Sequence, residues 1–360
     1  MASGLYGPRS PSWLIELLDS EDQVLDVLDT VESHSIEIAA TERLGGHAEM
    51  LINERGLDWM SHRVRFTYDP GVKGVEAWPY GVFLLSSPTE SRKLGAPSYK
   101  VSCKTKLSVI DEAAYAQALS FPAGTDVVAT VVDLIQSTGE TAIAATNQGI
   151  TLTSPMSFDA GESLLSVINE MLTSIGYWSL SVDTYGVFQI GPWTAPASRT
   201  PAWSFEAGEL SLYRPGWTRT QDRSSVPNVV VASTSGSDED PAIVGVARND
   251  DPDSDYSTIS RGREIAKRYD IDAESQASAS SQAQQLLLGA MDPVLKVEVE
   301  HALVPLQAND AVLFWPQGDE APRKHTVQRM SISSGFDAHC KATWRGVSGF
   351  ELGQDQGSNL

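Results

Sequence analysis

Cysteine is almost missing from this sequence: only Cys103 and Cys340 occur in 360 residues. They lie far apart in no metal-binding or redox spacing, which argues against a disulfide scaffold or a zinc module. Each sits in an alternating apolar segment, the setting of a buried free thiol. Long apolar runs are missing too. No stretch approaches the roughly 20 residues of a membrane helix, and the opening residues, with Pro, Gly, Ser and Arg, show no apolar signal core. Neither membrane insertion nor secretory export is expected. Positive charge is scarce, with 26 Lys and Arg against 47 Asp and Glu and a net charge of −21. A protein that grips nucleic acid through phosphate needs the opposite balance, so sequence-specific nucleic-acid binding is not expected. The acidity suits solubility and resistance to random association.

Catalytic signatures are also lacking. There is no phosphate-binding glycine loop, no dinucleotide fingerprint and no histidine pair at metalloprotease spacing. Gly346-Val347-Ser348-Gly349 only partly imitates a nucleophile elbow. The histidines His34, His47, His62, His301, His325 and His339 are scattered. Asp251, Asp253 and Asp255 imitate the first half of a calcium loop, but Tyr256 stands where that motif needs Gly, and Gly262 where it needs Glu. The candidate sites are therefore exposed acidic loops, Asp238, Glu239 and Asp240 in one and Asp250, Asp251, Asp253 and Asp255 in the other. No catalytic residue, metal or cofactor is expected, and the chain is not read as an enzyme. Trp13, Trp178, Trp203, Trp315 and Trp344 lie in or beside strand patterns, as core or interface aromatics do.

What the sequence does contain is alternation. Val64, Phe66 and Tyr68 alternate with polar neighbours. So do Tyr99, Val101, Cys103, Thr105, Leu107 and Val109, opposite Lys100, Ser102, Lys104, Lys106 and Ser108. Shorter strands are expected at Trp13–Leu18, Ile36–Ala39, Glu49–Ile52 and Val82–Leu85, which together suggest a small barrel or sandwich. Residues 111–200 differ. Thr125 or Asp126 can cap a helix carrying Val127, Val128, Val131, Leu134 and Ile135 on one stripe. Asp159 and Glu162 resemble a capping box before a second helix that Gly176 stops. A hairpin around Asp183-Thr184-Tyr185-Gly186 follows. Strands return at Asn228–Ala232, Ala242–Val246, Leu295–Val299, Ala311–Trp315 and Cys340–Trp344. An alanine-rich helix starting at Asp272 or Ser275 is inserted among them, and an exposed, poorly packed connection spans Asn249–Asp255. The expected domains are 1–110 and 201–350, β-rich, with a helix at about 270–291 inserted in the second, an α+β insert at 111–200, and a disordered tail at 351–360.

The block Leu164–Leu172, Ile175-Gly176-Tyr177 and Asp183-Thr184-Tyr185-Gly186 resembles the central region of phage tail hub proteins. Pro227–Val231, the Asn249–Ser257 stretch and the alanine-rich helix to Leu288 are similar to the following part of the minor tail, or hub, proteins of siphophages of actinobacteria. Trp78-Pro79-Tyr80-Gly81-Val82-Phe83-Leu84 is similar to their first barrel. The family is in turn similar to the baseplate hub of contractile tails. The resemblance implies a mainly β fold with α+β inserts, in which two barrel-like tube domains per chain let a homotrimer pose as a pseudo-sixfold ring. It further implies a tail-tip position in the virion, assembled in the host bacterial cytoplasm. The distal tail protein or tail tube ring would lie above the ring, fibre, spike or other minor tail proteins below, and the tape measure protein and passing DNA in its lumen. Acidic charge lining that lumen would repel DNA within about 8–10 Å. A receptor- or glycan-binding tail module is the alternative, and a cell-wall hydrolase a more distant one.

Overall fold

The computed structural model describes residues 5, 9–93, 96–209, 211–221, 224, 226–234, 242–252, 254, 256–271, 276–290, 295–335 and 338–347. It divides into two compact units, Met1–Trp217 with Glu298–Leu360, and Thr218–Val297.

The first unit opens with strands β1 (Ser12–Leu18), β2 (Val24–Val27), β3 (Val31–Ala39), β4 (Gly46–Ile52), β5 (Arg63–Asp69), β6 (Trp78–Lys93) and β7 (Ala96–Thr105). Their order across the sheet is β2-β1-β5-β6-β7-β4-β3, antiparallel throughout. Alternation is the cause: Val64, Phe66 and Tyr68 turn inward with Ile36, Met50 and Val101 and are buried. Trp13, His34, Phe66, Tyr68, Trp78 and Tyr80 form one edge-to-face cluster on that side. The alternation beyond Thr105 does not continue as strand. Lys106 adopts a helical backbone and Leu107 and Val109 fall in α1 (Leu107–Glu112).

The insert follows as β8 (Leu119–Phe121), α2 (Val127–Gln136), β9 (Ile143–Ala145), β10 (Met156–Phe158), α3 (Leu164–Ser174), β11 (Ser181–Val182) and β12 (Phe188–Ile190). Asp126 caps α2 by accepting from the Ala129 N–H at 2.9 Å. The expected capping box at Asp159 is displaced: α3 starts after Ser163, whose side chain makes no cap and instead donates to Asp111 at 2.8 Å and accepts from Arg43 at 3.1 Å. Gly176, at φ 72°, ends the helix as expected. Ile110, Val131, Ile135, Leu165, Ile168, Met171, Leu172 and Phe188 share the insert's core.

After a 3-10 turn (Pro196–Ser198) comes β13 (Pro201–Glu206). The second unit holds β14 (Thr218–Gln221), β15 (Val229–Ser233), β16 (Val244–Arg248), α4 (Thr258–Arg261), β17 (Ala266–Asp270) and α5 (Gln276–Ala290). Its three-stranded sheet β16-β15-β17 buries Val230, Ala232 and Ala247 against Ala283 and Leu287 of α5. In the connection from Asn249, Asp250, Asp251 and Pro252 are exposed as expected, but its first residue is not. Asn249 is buried, donates its N–H to Asn228 O at 2.8 Å and bonds Ser254 through its side chain. The expected helix start at Asp272 or Ser275 and the tail after Phe350 lie outside the described residues.

The chain closes with β18 (Leu295–Ala302), β19 (Ala311–Trp315), β20 (Arg323–Ser333) and β21 (His339–Gly346). These, with β13, give the order β13-β19-β20-β21-β18, with β14 beside β18 at the end. Beyond β18 runs Leu212–Arg214, bonded through Arg214 N to Glu300 O and Ala302 N to Leu212 O, both 2.7 Å. This repeats the first module's order: β1-β5-β6-β7-β4-β3 there, β13-β19-β20-β21-β18-Leu212–Arg214 here.

The repeat extends to irregularities. Leu85 N bonds His62 O, the residue before β5, and Val327 N bonds Asp310 O, the residue before β19. Directly afterwards β6 bulges against β7 between Leu85 and Pro88, and β20 against β21 between Val327 and Arg329. Phe66 and Phe314 hold matching places and are both fully buried. One strand departs from the pattern: β1 runs antiparallel to β5, whereas β13 runs parallel to β19. The modules share one sheet, because Arg329–Ser333 of β20 pairs with Ser35–Ala39 of β3. The expectation of barrels needs correction. Among the described residues the ladders do not close, since β2 ends the sheet as a four-residue edge strand exposed along its length. The fold is mainly β with antiparallel sheets and few helices.

Candidate functional site

Of the predicted acidic-loop residues, the structure describes Asp250 and Asp251. Asp238, Glu239, Asp240, Asp253 and Asp255 lie outside the described residues. Asp250 accepts from the Thr258 hydroxyl and stands 3.6 Å from Arg248 Nε, while Arg248 also reaches Glu264 at 2.6 Å. Asp251 uses its N–H on the Asn249 side chain. These contacts hold a loop in shape.

The chemistry concentrates where elements meet. The first such place was invisible in the sequence. Lys106, read as an outward residue of an alternating strand, is fully buried, because the helical turn at the end of β7 swings it inward. Its ammonium reaches Asp22 at 2.6 Å, Glu140 at 2.8 Å and the Gly186 carbonyl at 2.9 Å. Arg63 completes the network, at 2.7 Å from Asp22 and 2.6 Å from Glu140. Two cations and two carboxylates thus neutralise each other out of water. Desolvating such groups is offset only when each one is paired. Asp22 comes from the β1–β2 turn, Glu140 from the loop between α2 and β9 and Gly186 from the hairpin, so the network pins the insert to the first module.

The second place is the seam between β3 and β20. Ile36, Met330 and Ile332 are buried along it. Across it, Tyr80 donates its hydroxyl to Val304 O at 2.8 Å, and Arg9 donates to Leu303 O at 2.7 Å. Burial raises the Tyr80 phenol well above its ordinary range and keeps it a donor. On the polar face, Arg329 of β20 reaches Glu37 at 2.7 Å and also Glu42. Glu37, Glu42 and His47 form, among the described residues, the one group of three side chains near enough to share an ion. Arg329 already occupies its two carboxylates.

Burial in the cores shifts two histidines and both cysteines. Burial lowers His34 to about 4 in the first module, and His301 to about 4 in the second. His301 stacks near Phe205 and Trp344 as His34 does near Trp13 and Phe66. Both cysteines are free and buried, and burial pushes both thiols up. Of the tryptophans, Trp344 is fully buried, Trp178 lies under Arg199, and Trp315 is 41% exposed. An open depression of about 430 Å³ beside α3 is lined by Met156, Asn169, Glu170, Thr173 and Ser174.

No family model matches the sequence, and no curated protein does. Solved structures do resemble it. The tail protein from Neisseria meningitidis MC58 superimposes with a TM-score of 0.66 at 11% identity, over 93% of this chain and 96% of that one. The 43 kDa tail protein of prophage MuSo2 from Shewanella oneidensis gives 0.62 at 11% identity, over 92% and 98%. A chain of the PdpA–VgrG complex of Francisella gives 0.58 at 6% identity, over 97% of this chain but only 60% of that longer one. The chain has the fold of these phage tail proteins.

Proposed function

We propose that this chain is a structural subunit of a phage tail tip, a hub that assembles as a homotrimer around the DNA exit channel. The observation that carries the reading is the repeated strand order of the two modules, in a chain whose fold matches tail proteins over 92–93% of its length. Two similar modules per chain would let three chains present six, adapting a threefold ring to a sixfold tube. In this reading residues 1–110 and 201–350 are the tube-forming domains, and 111–200 sits as an insert clamped by the Lys106 network. The ring closes the tail, receives the distal tail protein or tube ring on one side and a fibre or spike on the other, and surrounds the tape measure protein and passing DNA. The chain would act in the virion after assembly in the host cytoplasm, by geometry and not by catalysis. Its net charge of −21 favours a lumen that does not hold phosphate.

Mass photometry of the purified full-length chain tests this. A species of three chains is the expected result, and a stable dimer contradicts it.

A further inference from the structure

The seam between the modules is a contact with a rule, and the rule has one unused half. In the second module the long middle strand β20 outruns its neighbour β19 after Thr326. Past the bulge, its freed edge, Arg329–Ser333, is taken by β3 of the first module. The ends of that pairing are marked by Ala40 N to Gln328 O and Ser334 N to His34 O, both 2.8 Å.

The first module has the same overhang without an occupant. Pairing of β6 with β5 reaches Leu84, whereas pairing with β7 runs on to Lys93. After the matching bulge, Pro88–Arg92 has β7 on one side and, among the described residues, no strand on the other. Thr89, Glu90, Ser91 and Arg92 are exposed. The strand that would fill it also exists once too often. In the second module the place of β3 is held by Leu212–Arg214, bonded to β18 on one side. Because those bonds use the residues flanking Tyr213, the Tyr213 N–H points away from β18, while its carbonyl accepts from Ser211 Oγ at 3.1 Å. The Tyr213 N–H and the edge of β6 are the two halves of the same junction.

We infer that the overhang of β6 receives the Leu212–Arg214 edge of a second copy of this chain, repeating between chains the β20–β3 pairing that joins the modules within one. The inference rests on the ring reading and deepens it by assigning the interface. The contact is head-to-tail, so it closes into a ring or grows without end according to the rotation per step. The internal seam sets that rotation, and equal steps of a sixth of a turn close after three chains. Pro88 offers no N–H. Alternation from Gln328 and Ser334 makes its counterpart Met330 point toward β3, so the intermolecular junction is one hydrogen bond weaker than the internal one. A proline at an open edge also discourages unrelated strands.

The test uses the full-length chain with Thr89→Cys and Arg214→Cys, alone and together, and a short bis-maleimide. Buried Cys103 and Cys340 do not compete. The double variant is expected to give covalent species ending at three chains, and each single variant none that joins Thr89→Cys to Arg214→Cys. A second variant, Glu90→Pro, removes an outward N–H while leaving the β7 side intact, and is expected to leave folded monomers by circular dichroism and mass photometry. Trimers that form without this cross-link overturn the assigned interface and leave the ring standing. Cross-linked ladders that run past three chains overturn ring closure at this edge. Monomers without cross-links at the highest soluble concentration overturn both.

Discussion

Lys106, Arg63, Asp22 and Glu140 are each matched to an opposite charge, and removal of one member strands the rest. Lys106→Met leaves three charges of net negative sign in a dry site, and the expected destabilisation is about 3–5 kcal/mol, measured by urea unfolding. The buried histidines add a pH dependence. His34 and His301 are held near 4 when folded and return to 6.5 on unfolding. Between those values the unfolded chain binds more protons, so stability is full above pH 6.5 and falls as pH drops toward 4. By pH 5 each histidine removes about 2 kcal/mol. Urea midpoints at pH 7.5 and pH 5 check this, and His301→Gln is expected to roughly halve the difference. None of these roles could be read from the sequence. Lys106 carried the signature of a solvent-facing strand residue, and the acids that hold it lie in turns whose meeting depends on the fold.

Elements were more legible than sites. Period-two patterns marked β1, β5 and β18 because one face of each strand is buried and the other wet, and Asp126 announced α2 through its capping chemistry. The reading failed where a tertiary contact overrode the local signal, as at the end of β7 and at the start of α3. It also gave no hint of overhangs or bulges, since an alternating pattern is blind to where a partner strand stops. Packing of α5 depends on one small residue: a Cβ on Gly245 would stand 2.2 Å from Ala279 O and 2.6 Å from Ser280 N, both backbone atoms of the helix. Gly245→Ala therefore pushes α5 off its sheet. The expected loss is about 2–3 kcal/mol, read as faster amide exchange confined to 244–248 and 276–290, while β3 and β20 stay protected.

At the scale of the whole molecule, the composition set expectations through its scarcity of positive charge and its lack of a long apolar run or a recognisable catalytic motif. The likeness of the two β modules was not visible in it. Their residues differ, Phe83 standing where the other module has His325, while strand order, bulge and edge are kept, because a sheet preserves its hydrogen-bond pattern under almost any inward-facing apolar set. Under the proposed ring, that repeated pattern is what would let a threefold object mate with a sixfold one. The most direct measurement is single-particle electron microscopy of the full-length protein. The expected image is a ring of three chains in which six β modules stand at equal steps about a central opening, alternately joined by β3 on β20 and by the Leu212–Arg214 edge on β6. A ring whose chains meet through the α+β inserts, with the modules at unequal steps, would contradict the account.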